Sequence, residues 1–277
     1  MLMAILAAAG FLWLMSLATA GSLEPSSPPA PTMKTLDEVE PRKPIPGSIL
    51  PAPTVEINAS GSYYLAGNRV CSDTGILVNA DNVTIDLCGY SLVGNGSLNK
   101  SGILLNGCDN TEIRNGTIRD FDSTGILVSQ DNLDDYHRII NVRARSNGSH
   151  GLLLQGKCNL VKNCIAAGNG LKGILVQDGS LVTGCVAHAN GDAGIEVNEG
   201  STLTFSNAFA NGSNGLRADV GATVIGNTSR DNQNWGIYLE GSNMVSQNTL
   251  YNNNLSGGPY GNMNTCSDCE LGVNVAP

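Results

Sequence analysis

The sequence predicts an all-β chain, a parallel β-solenoid of about eight to ten coils. Three observations predict it. A Gly-Ile/Leu unit recurs eight times, opening at Gly75, Gly102, Gly125, Gly151, Gly173, Gly194, Gly215 and Gly236. The steps are 27, 23, 26, 22, 21, 21 and 21 residues, and a fixed period of that kind marks one supersecondary unit stacked on itself. An Asn stands four residues before each later Gly, as Asn147, Asn169, Asn190, Asn211 and Asn232, and Asn253 continues the column before Gly257. Finally, 34 Gly and 31 Asn in 277 residues supply turn formers, and they leave few helix formers.

The elements follow in order. Residues 1–20 carry no charged side chain; an apolar run from Ile5 to Leu17 and Ala18-Thr19-Ala20 before Gly21 read as a signal peptide with its cleavage site. An uncleaved membrane anchor is the alternative, and either reading puts the rest outside the cytoplasm: secreted, periplasmic or at the cell surface, with no membrane span after cleavage. Residues 21–53 hold nine of the eleven prolines and read as an extended linker. The solenoid is expected over 54–256, with an earlier coil beginning at Ser62 to Leu65. Residues 257–277 form a C-terminal cap. There Cys266 and Cys269 make a C-x-x-C without further zinc ligands at the usual spacing, which favours a local bridge. The eight cysteines allow 105 pairings, so the sequence assigns none. Cys164 and Cys185, one 21-residue step apart, read as stacked buried thiols.

Within each coil, short alternating apolar runs replace any 3.6-residue period. In Gly-Ile-x-Val-x the first and third residues after Gly point inward, the second and fourth outward. A second apolar column falls nine residues after the Gly: Leu160, Val182, Leu203, Val224 and Val245. Stacked coils bring the Asn side chains to about 4.8 Å spacing, so each amide can donate to the rung beyond it as a ladder.

These columns resemble the right-handed parallel β-helix repeats of the pectin-lyase-like superfamily, over roughly Val55 to Pro277. The opening coil, Gly61-Ser-Tyr-Tyr-Leu-Ala-Gly-Asn followed by Asp81-Asn-Val-Thr-Ile-Asp-Leu, is similar to the start of its secreted members. The resemblance implies a right-handed solenoid. It spans polysaccharide lyases, glycoside hydrolases, epimerases and non-catalytic binding or adhesive proteins. Of the polygalacturonate-hydrolase motifs, only Asp134-Asp135 and Ser149-His150-Gly151 echo parts, too close together, and the Asp-Pro-His of alginate epimerases is absent.

The outward second position reads Leu77, Leu104, Leu127, Leu153, Leu175, Glu196, Arg217, Tyr238. The five leucines make a stripe of about 19 Å at rung spacing. Such a stripe calls for a cover, either the segment from Lys34 to Ile57 or a second chain joined through the leucines. Beyond it the face changes character. Glu196, Arg217 and Asp219 are the candidate catalytic residues, and Asp192, Trp235, Tyr238 and Glu240 the candidate substrate-binding ones; His150 and Lys172 lie in the turns beside them. Carboxylates serve proton transfer or grip hydroxyls, and flat rings cover apolar sugar faces. Glu196 and Asp219, one coil and two residues apart, suit the carboxyl spacing of inverting glycosidases. A solvated acidic face neutralised by Arg217 is the structural alternative.

Calcium is the one cofactor the carboxylates suggest, on this face or in a loop with Asp131, Asp134, Asp135 and His137. The net charge of -9 and the lack of a basic run argue against nucleic acid as a partner. The expected function is glycan or polysaccharide binding without catalysis. Its alternatives are a lyase, hydrolase or epimerase on the strand face, or an adhesive surface protein.

Overall fold

The computed structural model describes residues 42–275 apart from 130–134, 260, 265 and 267. The signal peptide, most of the expected linker, and Asp131 and Asp134 lie outside the described residues. The rest is a right-handed parallel β-helix of about ten turns. All strand pairings are parallel, and among the described residues there is no helix.

Each coil crosses three faces. Sheet I has nine strands: Val55–Ile57, Ile76–Val78, Ile103–Leu105, Ile126–Val128, Leu152–Leu154, Ile174–Val176, Ile195–Val197, Leu216–Ala218 and Ile237–Leu239. Sheet II includes Leu160–Lys162, Leu181–Thr183, Thr202–Thr204, Thr223–Ile225 and Met244–Ser246. Sheet III includes Ile165–Ala167, Val186–His188, Asn207–Phe209, Thr228–Arg230 and Thr249–Tyr251. In the earlier coils, Glu112–Arg119 and Arg138–Arg145 run across the corner and join these two faces.

The core follows from alternation. Ile76, Ile103, Ile126, Leu152, Ile174, Ile195, Leu216 and Ile237 stack in register with no exposed area, and each such burial contributes about 1.5–3 kcal/mol. The glycine before each strand lets rungs close up. A Cβ at Gly173 would stand 2.5 Å from the carbonyl oxygen of Gly194 and 2.7 Å from Asn190 Nδ2.

The Asn column is a continuous ladder. Asn147 Nδ2 donates to Asn169 Oδ1 at 3.0 Å, Asn169 to Asn190 at 2.9 Å, Asn190 to Asn211 at 3.0 Å, Asn211 to Asn232 at 3.0 Å and Asn232 to Asn253 at 2.8 Å. Each Oδ1 also accepts the backbone N–H of the rung before it. A second ladder lies between sheets II and III. Cys164 and Cys185 are buried there as free thiols, and Ser206, Asn227, Asn248 and Asn274 extend their column.

Four expectations need correction. The solenoid opens before residue 54: Lys43–Ile45 pairs with Gly61–Leu65, and Ser48–Ala52 pairs with Arg69–Cys71, inside the proline-rich stretch. These are edge strands among the described residues, where a proline's missing N–H costs no ladder bond. The second apolar column passes through Val161 rather than Leu160, because Val161 is the residue level with Val182. The coil from Gly151 to Gly173 is one residue longer, and the extra residue falls in the turn before the strand. Of the expected cover, Lys34 to Pro41 lie outside the described residues, and residues 42–57 do not lie over the leucine stripe. Val55–Ile57 adds a rung beneath it, with Glu56 level with Leu77, and the five leucines are half-buried. Finally, His137 is not a calcium ligand. Its imidazole is fully buried, with Nδ1 accepting the Thr111 backbone N–H at 3.2 Å, and its backbone N–H donates to Asn159 Oδ1. Cys266 and Cys269 do form a local disulfide.

Candidate functional site

The site is built on the last four strands of sheet I. Their register puts Leu175, Glu196, Arg217 and Tyr238 in one outward column. The residue before each strand's glycine adds a second row, in which Lys172 and Trp235 stand beside the column.

Ion pairs join the two rows. Lys172 Nζ stands 2.8 Å from Glu196 Oε2, Arg217 Nη1 stands 3.2 Å from Glu196 Oε1, and Arg217 Nη2 reaches Glu240 Oε1. Glu196 is 7% exposed, so its carboxylate sits between two cations away from water. The Lys172 contact is a charge contact: Oε2 accepts no well-aligned hydrogen bond. Burial works against the Arg217 charge, but the Glu240 and Glu196 carboxylates outweigh it and raise its pKa.

Three candidates stand around this row. Tyr238 is half-buried and level with Arg217. Trp235 is half-buried; its backbone N–H donates to Asn214 Oδ1 at 3.2 Å, and its indole lies against Gly261. Asp192 is half-buried, with its N–H on the Leu171 carbonyl.

Asp219 joins none of these ion pairs. Its Oδ1 accepts the following Val220 N–H at 2.7 Å. Arg217 therefore separates Glu240 from its neighbours by pairing with Glu240 and Glu196, and Asp219 is left on the turn. His150, in the turn two rungs before Glu196, has its pKa lowered by burial and by the Lys172 charge, against Asp192 and Glu196. Its Nδ1 is buried without a partner.

No three His, Cys, Asp or Glu side chains gather as a metal-ligand set among the described residues. Asp135 Oδ1 accepts the Lys157 N–H instead. Three cavities lined by described residues lie away from this face. On sheet III the 21-residue step also aligns His188, Phe209 and Arg230. Hydrophobic periodicity does not mark that column, because aromatic and charged residues share it.

Comparison with known proteins sets this geometry in context. Residues 125–275 match the family model described as a right-handed β-helix region. No curated protein matches the chain. Among solved structures, the A-module of a mannuronan C-5 epimerase from Azotobacter vinelandii is 20% identical, with a TM-score of 0.64 over 78% of this chain and 68% of that one. A mutant of a periplasmic alginate epimerase is 13% identical, with a TM-score of 0.58 over 84% and 76%. A Geobacillus virus E2 protein is 11% identical, with a TM-score of 0.58 over 84% and 54%. At these identities the likeness is one of fold.

Proposed function

The chain belongs to the right-handed β-helix family, and from that premise we propose that it is a secreted or periplasmic protein that binds a polysaccharide on sheet I without turning it over. The observation that carries the reading is Glu196 held between Lys172 and Arg217. Each oxygen of that carboxylate faces a cation, so neither is presented to a glycosidic oxygen, and Asp219 stands outside the ion pairs without a carboxyl partner poised across a sugar. The same row suits recognition. Charges of alternating sign recur along the solenoid, with Tyr238 and Trp235 beside them for the apolar faces of sugar rings. Lys172 and Arg217 balance Glu196 and Glu240, and Asp192 and Asp219 leave the face acidic, which favours a neutral glycan over a polyanion. That two structural neighbours are epimerases of mannuronan and alginate supports the carbohydrate class.

The test is a glycan array with a parallel turnover assay, with and without calcium. Binding without turnover is expected, weakened about tenfold by Arg217→Ala or Tyr238→Ala. Turnover, or silence on every glycan, refutes the reading. An enzyme is the second reading, and His150 favours it: a neutral imidazole with an unpartnered Nδ1 beside Lys172 and Glu196 has the makings of a general base.

A further inference from the structure

Sheet III carries a groove whose side chains are left unspent. It has a volume of about 280 Å³ and is lined by Val186, Asn207, Ala208, Phe209, Thr228 and Arg230. That is just below the range of ligand pockets, about 300–1,000 Å³, and suits a ligand of one or two rings. Its wall is a stack of flat groups. His188 and Phe209 lie face to face, 5.0 Å apart and 7° from parallel, and the Arg230 guanidinium covers the other face of Phe209 at 4.6 Å.

Some outward polar side chains of this solenoid are tied to the neighbouring rung, as Thr204 is to Thr183 and Asn198 to Gln177. In the groove they are not. Neither the Asn207 carboxamide nor the Thr228 hydroxyl meets a hydrogen-bond partner among the described residues. Arg230 gives one nitrogen to Asp231 and keeps its other donors.

A separate observation lies on the same rungs. The corner before sheet III needs a left-handed residue, and Asn163, Gly184, Gly226 and Gln247 fill it in neighbouring coils. At the same place Phe205 has φ 50° and is 66% exposed. A bulky ring is a poor choice for that backbone, and burial does not repay it. The next coil makes room for the ring: a Cβ at Gly226 would stand 2.8 Å from Phe205 Cδ1. A strained, exposed aromatic thus stands at the corner two residues before Asn207 of the groove, with its ring against Gly226, two residues before Thr228.

We propose that this part of sheet III is a saccharide site, independent of sheet I, that takes a neutral pyranose unit. Asn207, Thr228 and Arg230 bind its hydroxyls, and Phe205 covers its apolar face. Neutrality follows from Asp231, which already matches the Arg230 charge and repels an added carboxylate.

The test titrates the intact protein with neutral trisaccharides of glucose, galactose and mannose, and with trigalacturonate, by calorimetry. At least one neutral trisaccharide should bind, at least tenfold more weakly to Phe205→Gly and to Arg230→Gln, and Phe205→Trp should retain binding. Phe205→Gly should melt no lower than the parent, because glycine fits the corner. A purely structural role for Phe205 would lower melting and leave binding alone. The proposal is overturned if no neutral trisaccharide binds, if trigalacturonate binds more tightly, or if binding is lost in Arg217→Ala but kept in Phe205→Gly, which would place it on sheet I.

Discussion

Truncating Asn190 to alanine tests the ladder where it is most enclosed. Asn190 is 2% exposed. Its Oδ1 accepts both the Asn169 N–H at 3.1 Å and Asn169 Nδ2 at 2.9 Å, and its Nδ2 donates to the Ala166 carbonyl and to Asn211 Oδ1. Asn211 Oδ1 keeps the Asn190 N–H at 3.2 Å, so the damage falls on the preceding rung. Two buried donors of Asn169 lose their only shared acceptor. At about 1–3 kcal/mol for each stranded group, and with water entering the vacated turn, the expected loss is about 3 kcal/mol. For a domain of this size that lowers the melting midpoint by roughly 6–12 °C. The control is Asn253→Ala, at a partly exposed rung where water replaces the amide; its loss should be about 1 kcal/mol or less. Thermal unfolding followed by circular dichroism reads both. Asn190→Ala melting within about 1 °C of the parent, or Asn253→Ala costing as much as Asn190→Ala, would refute the reasoning.

Other expectations follow from the same geometry. Burial pushes the His137 pKa down to about 4, against the pull of Asp109 and Asp135. Above about pH 6.5 both states are neutral there; as pH falls towards 4 only the unfolded chain takes the proton, so stability drops by up to about 3 kcal/mol. His137→Asn, matching Asn159, which accepts the His137 backbone N–H from the next coil, should flatten that part of the pH–melting curve, and an unchanged slope would count against it. Gly173→Ala should cost more than about 3 kcal/mol through collision with the next rung, whereas Gly168→Ala, at φ 62° with nothing within 4 Å, should cost about 1 kcal/mol; equal melting shifts would contradict the packing account. Asp219→Asn preserves the acceptor for Val220, so melting should move by less than about 0.5 kcal/mol while glycan binding weakens; a variant that binds unchanged would remove Asp219 from the site.

The fold was legible because the coil repeats and the Asn ladder repeats one residue type. The second ladder was harder to see: its column runs Cys164, Cys185, Ser206, Asn227, Asn248 and Asn274, and thiol, hydroxyl and amide fill one place in turn. The start of the solenoid was hidden by Pro44, Pro46 and Pro51, which speak against a strand except at an edge. On sheet I the outward residues were readable from alternation, and their partners were not. Whether Arg217 turns towards Asp219 or spans Glu196 and Glu240 depends on side-chain reach across rungs. The sheet III groove escaped for a related reason: a free carboxamide looks the same in sequence as one tied to its neighbour.

The ladder has a direction. The amides from Asn147 to Asn253 all donate towards the C-terminus, and Asn253 carries the series on to Asn262 Oδ1 at 3.0 Å. The second ladder runs the same way, with Asn248 donating to Asn274 Oδ1 at 3.0 Å. Neither of these acceptors sits at the 21-residue step. The last coil therefore hands both hydrogen-bond chains to acceptors set at other spacings. Whole coils can be inserted or deleted in the middle of such a protein, since each rung offers above what it takes below. A coil added after the last regular one would have to re-form these two off-step contacts, whereas one duplicated in the middle meets the spacing it brings, so duplication is expected to lengthen the solenoid from within.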